Sequence, residues 1–161
     1  MKIISGGQTG ADRGGLEAGL ALGVTIGGYV PKYWRAEDGH VPFHYPMQAH
    51  ESSGYPGRTE ANVVFSDATI IFHVGRLERG SKLTRDLCRQ HGRLHLVVPL
   101  DDGEGGAIVA VRDFIQDDVG IAIWAPDFTL NIAGNRESVC PGIQESVKAI
   151  LVEALKAYVL L

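Results

Sequence analysis

The sequence predicts an α/β fold of three layers, with a mostly parallel sheet of about five strands between helices on both faces. Two observations carry this. Five short apolar stretches alternate with stretches at helical spacing. The first of them, Met1-Lys2-Ile3-Ile4, also runs directly through a Gly-rich turn, Ser5-Gly6-Gly7-Gln8-Thr9-Gly10, into a helix.

In order, the expected strands are Lys2–Ile4, Val24–Tyr29, Thr69–His73, Leu94–Val98 and Gly120–Trp124. The expected helices are Ala11–Leu22, Thr59–Phe65, Ser81–Gln90, Gly106–Gln116 and a last one from Pro141 to about Tyr158. Gly23 stops the first helix, and Pro141 suits a helix start because no amide partner is lost there. Ile143, Val147, Ile150, Leu151, Ala154 and Leu155 make one apolar face of the last helix. The segment from Pro31 to Gly57 fits neither period. Its prolines and its aromatics Tyr33, Trp34, Phe43, Tyr45 and Tyr55 predict an ordered loop over the strand ends rather than disorder.

At 161 residues the chain is expected to form a single domain, residues 1–161. No run of about 18 apolar residues exists and no secretory signal opens the chain, so no membrane partner and a cytoplasmic location are expected. The net charge of −4 argues against a nucleic-acid surface. An anionic ligand would need a local site built from amides and a few arginines. The two cysteines make no CxxC pair; Cys88 reads as packing and Cys140 as a loop thiol. The apolar end Tyr158-Val159-Leu160-Leu161 suggests burial in a homo-oligomer.

The turn after the first strand reads as a phosphate cradle. Gly6, Gly7 and Gly10 allow positive φ and close approach, and the amides that follow open a helix. Its G-G-x-x-G spacing differs from the dinucleotide fingerprint and lacks the Lys-Ser/Thr end of a triphosphatase loop. Ligands of open parallel sheets bind beyond the carboxyl ends of the strands, which gathers further candidates on one rim. Arg58 stands just before a helix and suits bidentate phosphate contact, or is a solvated surface residue. Gly80-Ser81 caps the next helix or binds an anion with the same amides. Asn131–Ser138, with Asn135 and Arg136, is a capping turn or a further wall of the site. Asp12 is an acid or base, or closes the Gly turn; Glu17, Glu37 and Asp38 are the other carboxylates available. His40, His44 and His50 lack metal-ligand spacing, so no protein-ligated metal is expected.

Ile4–Arg13, Gly27–Lys32, Arg35–Gly39, Arg58–Val63, Ser66–Thr69, Gly80–Thr84 and Asn131–Ser138 resemble the family known as putative molybdenum carriers. The resemblance spans nearly the whole chain. It implies a Rossmann-like fold and a carrier of molybdenum cofactor or a related nucleotide-type ligand. Gly6, Gly7, Gln8, Thr9, Gly10, Arg58 and the Gly80-Ser81 turn would hold the phosphate. The loop carrying Tyr33, Trp34 and Arg35 would cover the ring, with Lys32, Thr84, Asn135 and Arg136 as further binding residues. The family is distantly similar to lysine-decarboxylase-like proteins that release cytokinin bases from nucleoside monophosphates. Those carry a catalytic Glu where Thr84 stands here. Thr is no carboxylate base, so a binding role precedes the alternative, a phosphoribohydrolase-like enzyme using Asp12 and Arg58.

Overall fold

The computed structural model describes residues 1–159. Five parallel strands form the central sheet: β1 (Lys2–Ser5), β2 (Thr25–Gly27), β3 (Ala68–His73), β4 (Leu94–Pro99) and β5 (Thr129–Gly134). Their spatial order is β2-β1-β5-β3-β4. Helices α1 (Ala11–Leu22), α4 (Glu104–Asp113) and α5 (Ile143–Leu155) pack together over the main core, around Ile70, Phe72, Leu130, Ile132 and Val147. Helices α2 (Tyr55–Val64) and α3 (Arg79–Gln90) meet around Val63, Leu87 and Cys88. No helix among the described residues is long and apolar enough to cross a membrane.

Counted from β5 as the first strand, the spatial order becomes 3-2-1-4-5, that of a Rossmann-like sheet. The chain is therefore a rearranged version of that fold, with the central strand contributed last. The order reverses between β5 and β3, so the crevice beyond their carboxyl ends is the topological switch point.

The fifth strand differs from expectation. Gly120–Trp124 is a 3-10 helix, following a π-helical turn at Phe114–Val119. Ile123 is buried but Ile121 is 90% exposed, so the segment lacks the two-sided burial of a central parallel strand. Thr129–Gly134 takes that place instead. Leu130 and Ile132 fill the core, and the polar Asn131 between them donates to Thr69 Oγ1 at 3.3 Å. That satisfied Asn disguises a core strand as a loop.

Other boundaries shift less. The second strand is only Thr25–Gly27, because Gly28 adopts φ +124 beside the Ser5 backbone. Arg58 lies inside α2, whose start at Tyr55 has Pro in its first turn. Gly80 and Ser81 lie inside α3, and α5 starts at Ile143 rather than Pro141. Tyr158 packs against the main core and its ring meets Trp124 at 5.6 Å, while Leu160 and Leu161 lie outside the described residues.

The segment 31–57 is ordered by short pairings. Tyr29–Val30 pairs with Gln48–Ala49, and Arg35–Ala36 forms a hairpin with Gly39–His40. Leu16, Ile26, Val30, Val41 and Tyr45 make a small core beneath it. Arg13 anchors the hairpin with a fork on Asp38, at 2.6 and 2.9 Å, while its Nε donates to Gly7 O at 3.1 Å. A lysine cannot make this three-way contact. Arg13→Lys should cost about 1 kcal/mol, Asp38 being half exposed. It should also speed amide exchange across residues 35–40; unchanged protection there would refute the anchor.

Candidate functional site

The Gly-rich turn is buried throughout, and its own chain occupies its amides. Gly7 N donates to Ser5 Oγ, Gln8 N to Asp12 Oδ2, and Thr9 N to Gln8 Oε1, at 3.1–3.2 Å. Ala11 N donates to Asn135 O at 3.0 Å. Each glycine answers to a close neighbour. A Cβ at Gly6 would come within 2.5 Å of the Arg58 guanidinium, at Gly7 within 2.9 Å of Val41, and at Gly10 within 2.4 Å of Asn135 O. The G-G-x-x-G spacing thus joins the β1–α1 turn to α2, to the 31–57 segment and to the β5–α5 turn. In this geometry the Gly7, Gln8 and Thr9 amides are not free to bind phosphate.

The open space lies at the switch point, between the β3–α3 and β5–α5 turns. One lobe, of about 470 Å³, is lined by Arg79, Gly80, Ser81, Asn135 and Arg136 among others. A second, of about 260 Å³, is lined by Gln8, Asp12, Tyr55, Arg58 and Thr84 among others. The lobes share Gly80, Gly134 and Arg136. Asn135 ties the two turns together, accepting from Val74 N at 2.8 Å and donating to Ser81 Oγ at 3.5 Å. No side chain caps α3, and the space around Gly80 is open, so the positive end of this helix faces the cleft. Arg79 opens it with φ +48, a costly conformation for a residue with a side chain. Thr84 Oγ1 donates to Gly80 O at 2.9 Å.

Three guanidinium groups gather on the ring of Tyr55: Arg35 and Arg58 at 5.4 Å and Arg136 at 5.0 Å. Arg58 is nearly buried and donates to Thr59 Oγ1 at 2.8 Å, with Asp12 at 3.8 Å as its counter-charge. Burial pushes the Arg58 pKa down, Asp12 opposes that, and Arg136 adds repulsion. Burial raises the Asp12 pKa despite Arg58 and the Gln8 amide. Sequence reading passed over Tyr55 as one aromatic of a loop. Pro56 behind it, a first-turn proline, is the signal that α2 begins there.

Of the loop residues, Arg35 reaches this cluster. Trp34 instead faces His40 and Phe43, with ring centroids at 6.1 and 5.1 Å, and Lys32 lies over Tyr33. Neither Lys32 nor Trp34 lines the cleft. Tyr33 and Trp34 both have positive φ. The three loop histidines belong to no metal-ligand group among the described residues.

Glu37 clips the loop to the site. It accepts from Thr9 Oγ1, from Ser138 Oγ at 2.5 Å and from Ser138 N at 3.2 Å. Burial pushes its pKa up, but the bonds from Ser138 and Thr9 outweigh this and hold it below the usual range; the Arg13 fork does the same for Asp38. A depressed carboxylate stabilises the fold above its unfolded pKa, and that contribution is lost as pH falls through the folded value. Asp12 acts oppositely: its raised pKa costs stability as pH rises through and above the ordinary aspartate range. The stability gap between wild type and Glu37→Gln should therefore close on acidification below about pH 4. A gap independent of pH in chemical denaturation would refute the clip.

A crystal structure of a "Putative molybdenum carrier protein" from Syntrophus aciditrophicus SB is similar to this chain, with 36% sequence identity and a TM-score of 0.84. The match covers 96% of this chain and 94% of that one. No curated protein sequence matches. The family model described as "Circularly permutated YpsA SLOG family" matches residues 3–155, in keeping with a Rossmann-like sheet whose central strand comes last; the chain belongs to that family.

Proposed function

We propose that the switch-point cleft binds a phosphorylated small molecule, molybdenum cofactor or a related nucleotide, and holds it without turnover. The observation that carries this is the convergence of Arg35, Arg58 and Arg136 on Tyr55, in a chain of net charge −4. Asp12 and Glu37, at 3.8 and 4.0 Å from Arg58 and Arg136, offset two of the three charges, and guanidinium forks suit phosphate as a further partner. The uncapped α3 terminus at Gly80 and Ser81 adds amides for the same group. The Tyr55 ring offers a flat face. These donors fit a phosphate attached to a ring, as in the phosphorylated pterin of molybdenum cofactor. The name of the Syntrophus aciditrophicus protein supports the carrier role.

In the revised site, Arg58, Arg136, Asn135, Gly80, Ser81 and Thr84 contact the ligand. Gly6, Gly7, Thr9 and Gly10 position those residues. The melting temperature should rise with GMP or IMP and not with guanosine or inosine, because a ligand at 100 times its Kd adds about 2.7 kcal/mol. Arg136→Ala should abolish the rise. The absence of any shift with phosphate, GMP, IMP or AMP would overturn the reading.

Asp12 favours a second reading, phosphoribohydrolase-like cleavage of a nucleoside monophosphate. It is a buried carboxyl of raised pKa beside Arg58 in the cleft. Release of a free base, lost in Asp12→Asn, would place this reading first.

A further inference from the structure

Resting on the binding site just proposed, one side chain in the cleft specifies which face of a ligand can enter. Gln8 is 5% exposed. Its Oε1 accepts from Thr9 N at 3.1 Å and from Glu37 N at 2.9 Å, which uses both lone pairs. Turning the carboxamide over would set an NH2 group against two N–H donors, so its orientation is forced. Nε2 is consequently fixed as the free end of the side chain, and it is buried without a hydrogen-bond partner among the described residues. Buried donors are almost always paired, and each one left unpaired is costly.

Gln8 lines the 260 Å³ lobe, where space for an acceptor exists. Arg58 Nε is also without a partner, but it borders a separate hole of about 10 Å³, the size of one water. Gln8 does not line that hole. Its neighbour Asp12 already accepts the Gln8 backbone N–H and pairs with Arg58, so its carboxyl is engaged elsewhere. A second phosphate against Asp12 would meet a carboxylate. A neutral acceptor, such as a ring carbonyl, would not.

We propose that Gln8 Nε2 is a specificity determinant that donates to a ring carbonyl of the ligand, so the cleft selects oxo-substituted heterocycles, such as 6-oxopurines and 4-oxopterins, over their amino counterparts. The phosphate then sits at the junction of the lobes, at Gly80 and Arg136 between Ser81 and Arg58, and the ring in the Gln8 lobe. An amino group at the same place would point its hydrogens at the Gln8 hydrogens and leave both sets unpaired. Sites built around one hydrogen-bonding group reject ligands lacking its complement strongly.

Calorimetric titration of the wild-type protein with IMP and AMP, which differ by a carbonyl and the adjoining ring N–H against an amine and a bare ring nitrogen, tests this. IMP should bind at least about tenfold more tightly. Gln8→Glu keeps an acceptor for Thr9 N and Glu37 N but turns the free end into an acceptor, and should move the preference towards AMP. The wild-type comparison stands even if that variant does not fold. Equal affinities, or a preference for AMP, would overturn the role of Gln8 and leave the phosphate site standing. Binding of neither nucleotide would overturn both.

Discussion

Gly10→Ala should destabilise the protein by about 3 kcal/mol or more, lowering the melting temperature by roughly 6–12 °C. Two costs add. Gly10 has φ +83, which an L-residue adopts only with strain. Its Cβ would also lie 2.4 Å from Asn135 O and 2.6 Å from Glu137 N, both backbone atoms that cannot rotate away. Relief requires the β1–α1 and β5–α5 turns to separate, which carries Asn135 and Arg136 off the cleft. Nucleotide binding should therefore weaken together with stability. Gly106→Ala is the control: it lies within α4 with open space around it, and should stabilise by about 0.5–1 kcal/mol. Equal melting temperatures for Gly10→Ala and wild type would show that the two turns are not in essential contact.

Arg58→Met should cost about 3–5 kcal/mol at neutral pH, because it removes the counter-charge of a buried carboxylate. Met keeps the aliphatic stem but not the guanidinium that lies on Gly6, so the pH dependence of the loss is what separates charge from packing. Asp12 already has a raised pKa through burial, and without Arg58 it should rise further. A raised carboxyl destabilises the fold as pH rises from the unfolded value through the folded one. The penalty of Arg58→Met should thus shrink on acidification towards pH 4, and Asp12→Asn in the same chain should recover part of it. Denaturant titrations across pH measure both effects. A penalty that ignores pH and is not relieved by Asp12→Asn would show that Arg58 acts only as filler.

The sheet was legible in the sequence where strands were mostly apolar. Ala68–His73 and Leu94–Pro99 lie within a residue of where Thr69–His73 and Leu94–Val98 were expected. Apolarity misled at Gly120–Trp124 and hid Thr129–Gly134, because what distinguishes them is a side-chain bond from Asn131 to Thr69, 62 residues away. The candidate site was legible as residues but not as roles. Arg58, Arg136, Ser81 and Asn135 share a cleft because the switch point brings distant turns together. The glycines before Ala11 advertise a cradle equally whether a ligand or a guanidinium fills the space a Cβ would take. Only the neighbour of Gly6, which is Arg58, decides between them. Trp34 departed from expectation by facing His40 and Phe43, and the positive φ of Tyr33 and Trp34 is invisible in residue type.

The late position of β5 has a consequence for synthesis on the ribosome. β1 pairs with β2, and β3 with β4, but among the described residues the two pairs are joined in the sheet only through β5. Until residues 129–134 have emerged, the nascent chain holds two half-sheets whose facing edges, Lys2–Ser5 and Ala68–His73, have no strand between them. Those edges are apolar and open to mispairing with other chains. Completion is then an insertion event: one late strand closes both edges at once and assembles the arginine cleft in the same step. Closure of the sheet is thereby postponed until residues 129–134 are available, and the switch point that would hold a ligand is also the seam at which the molecule is closed.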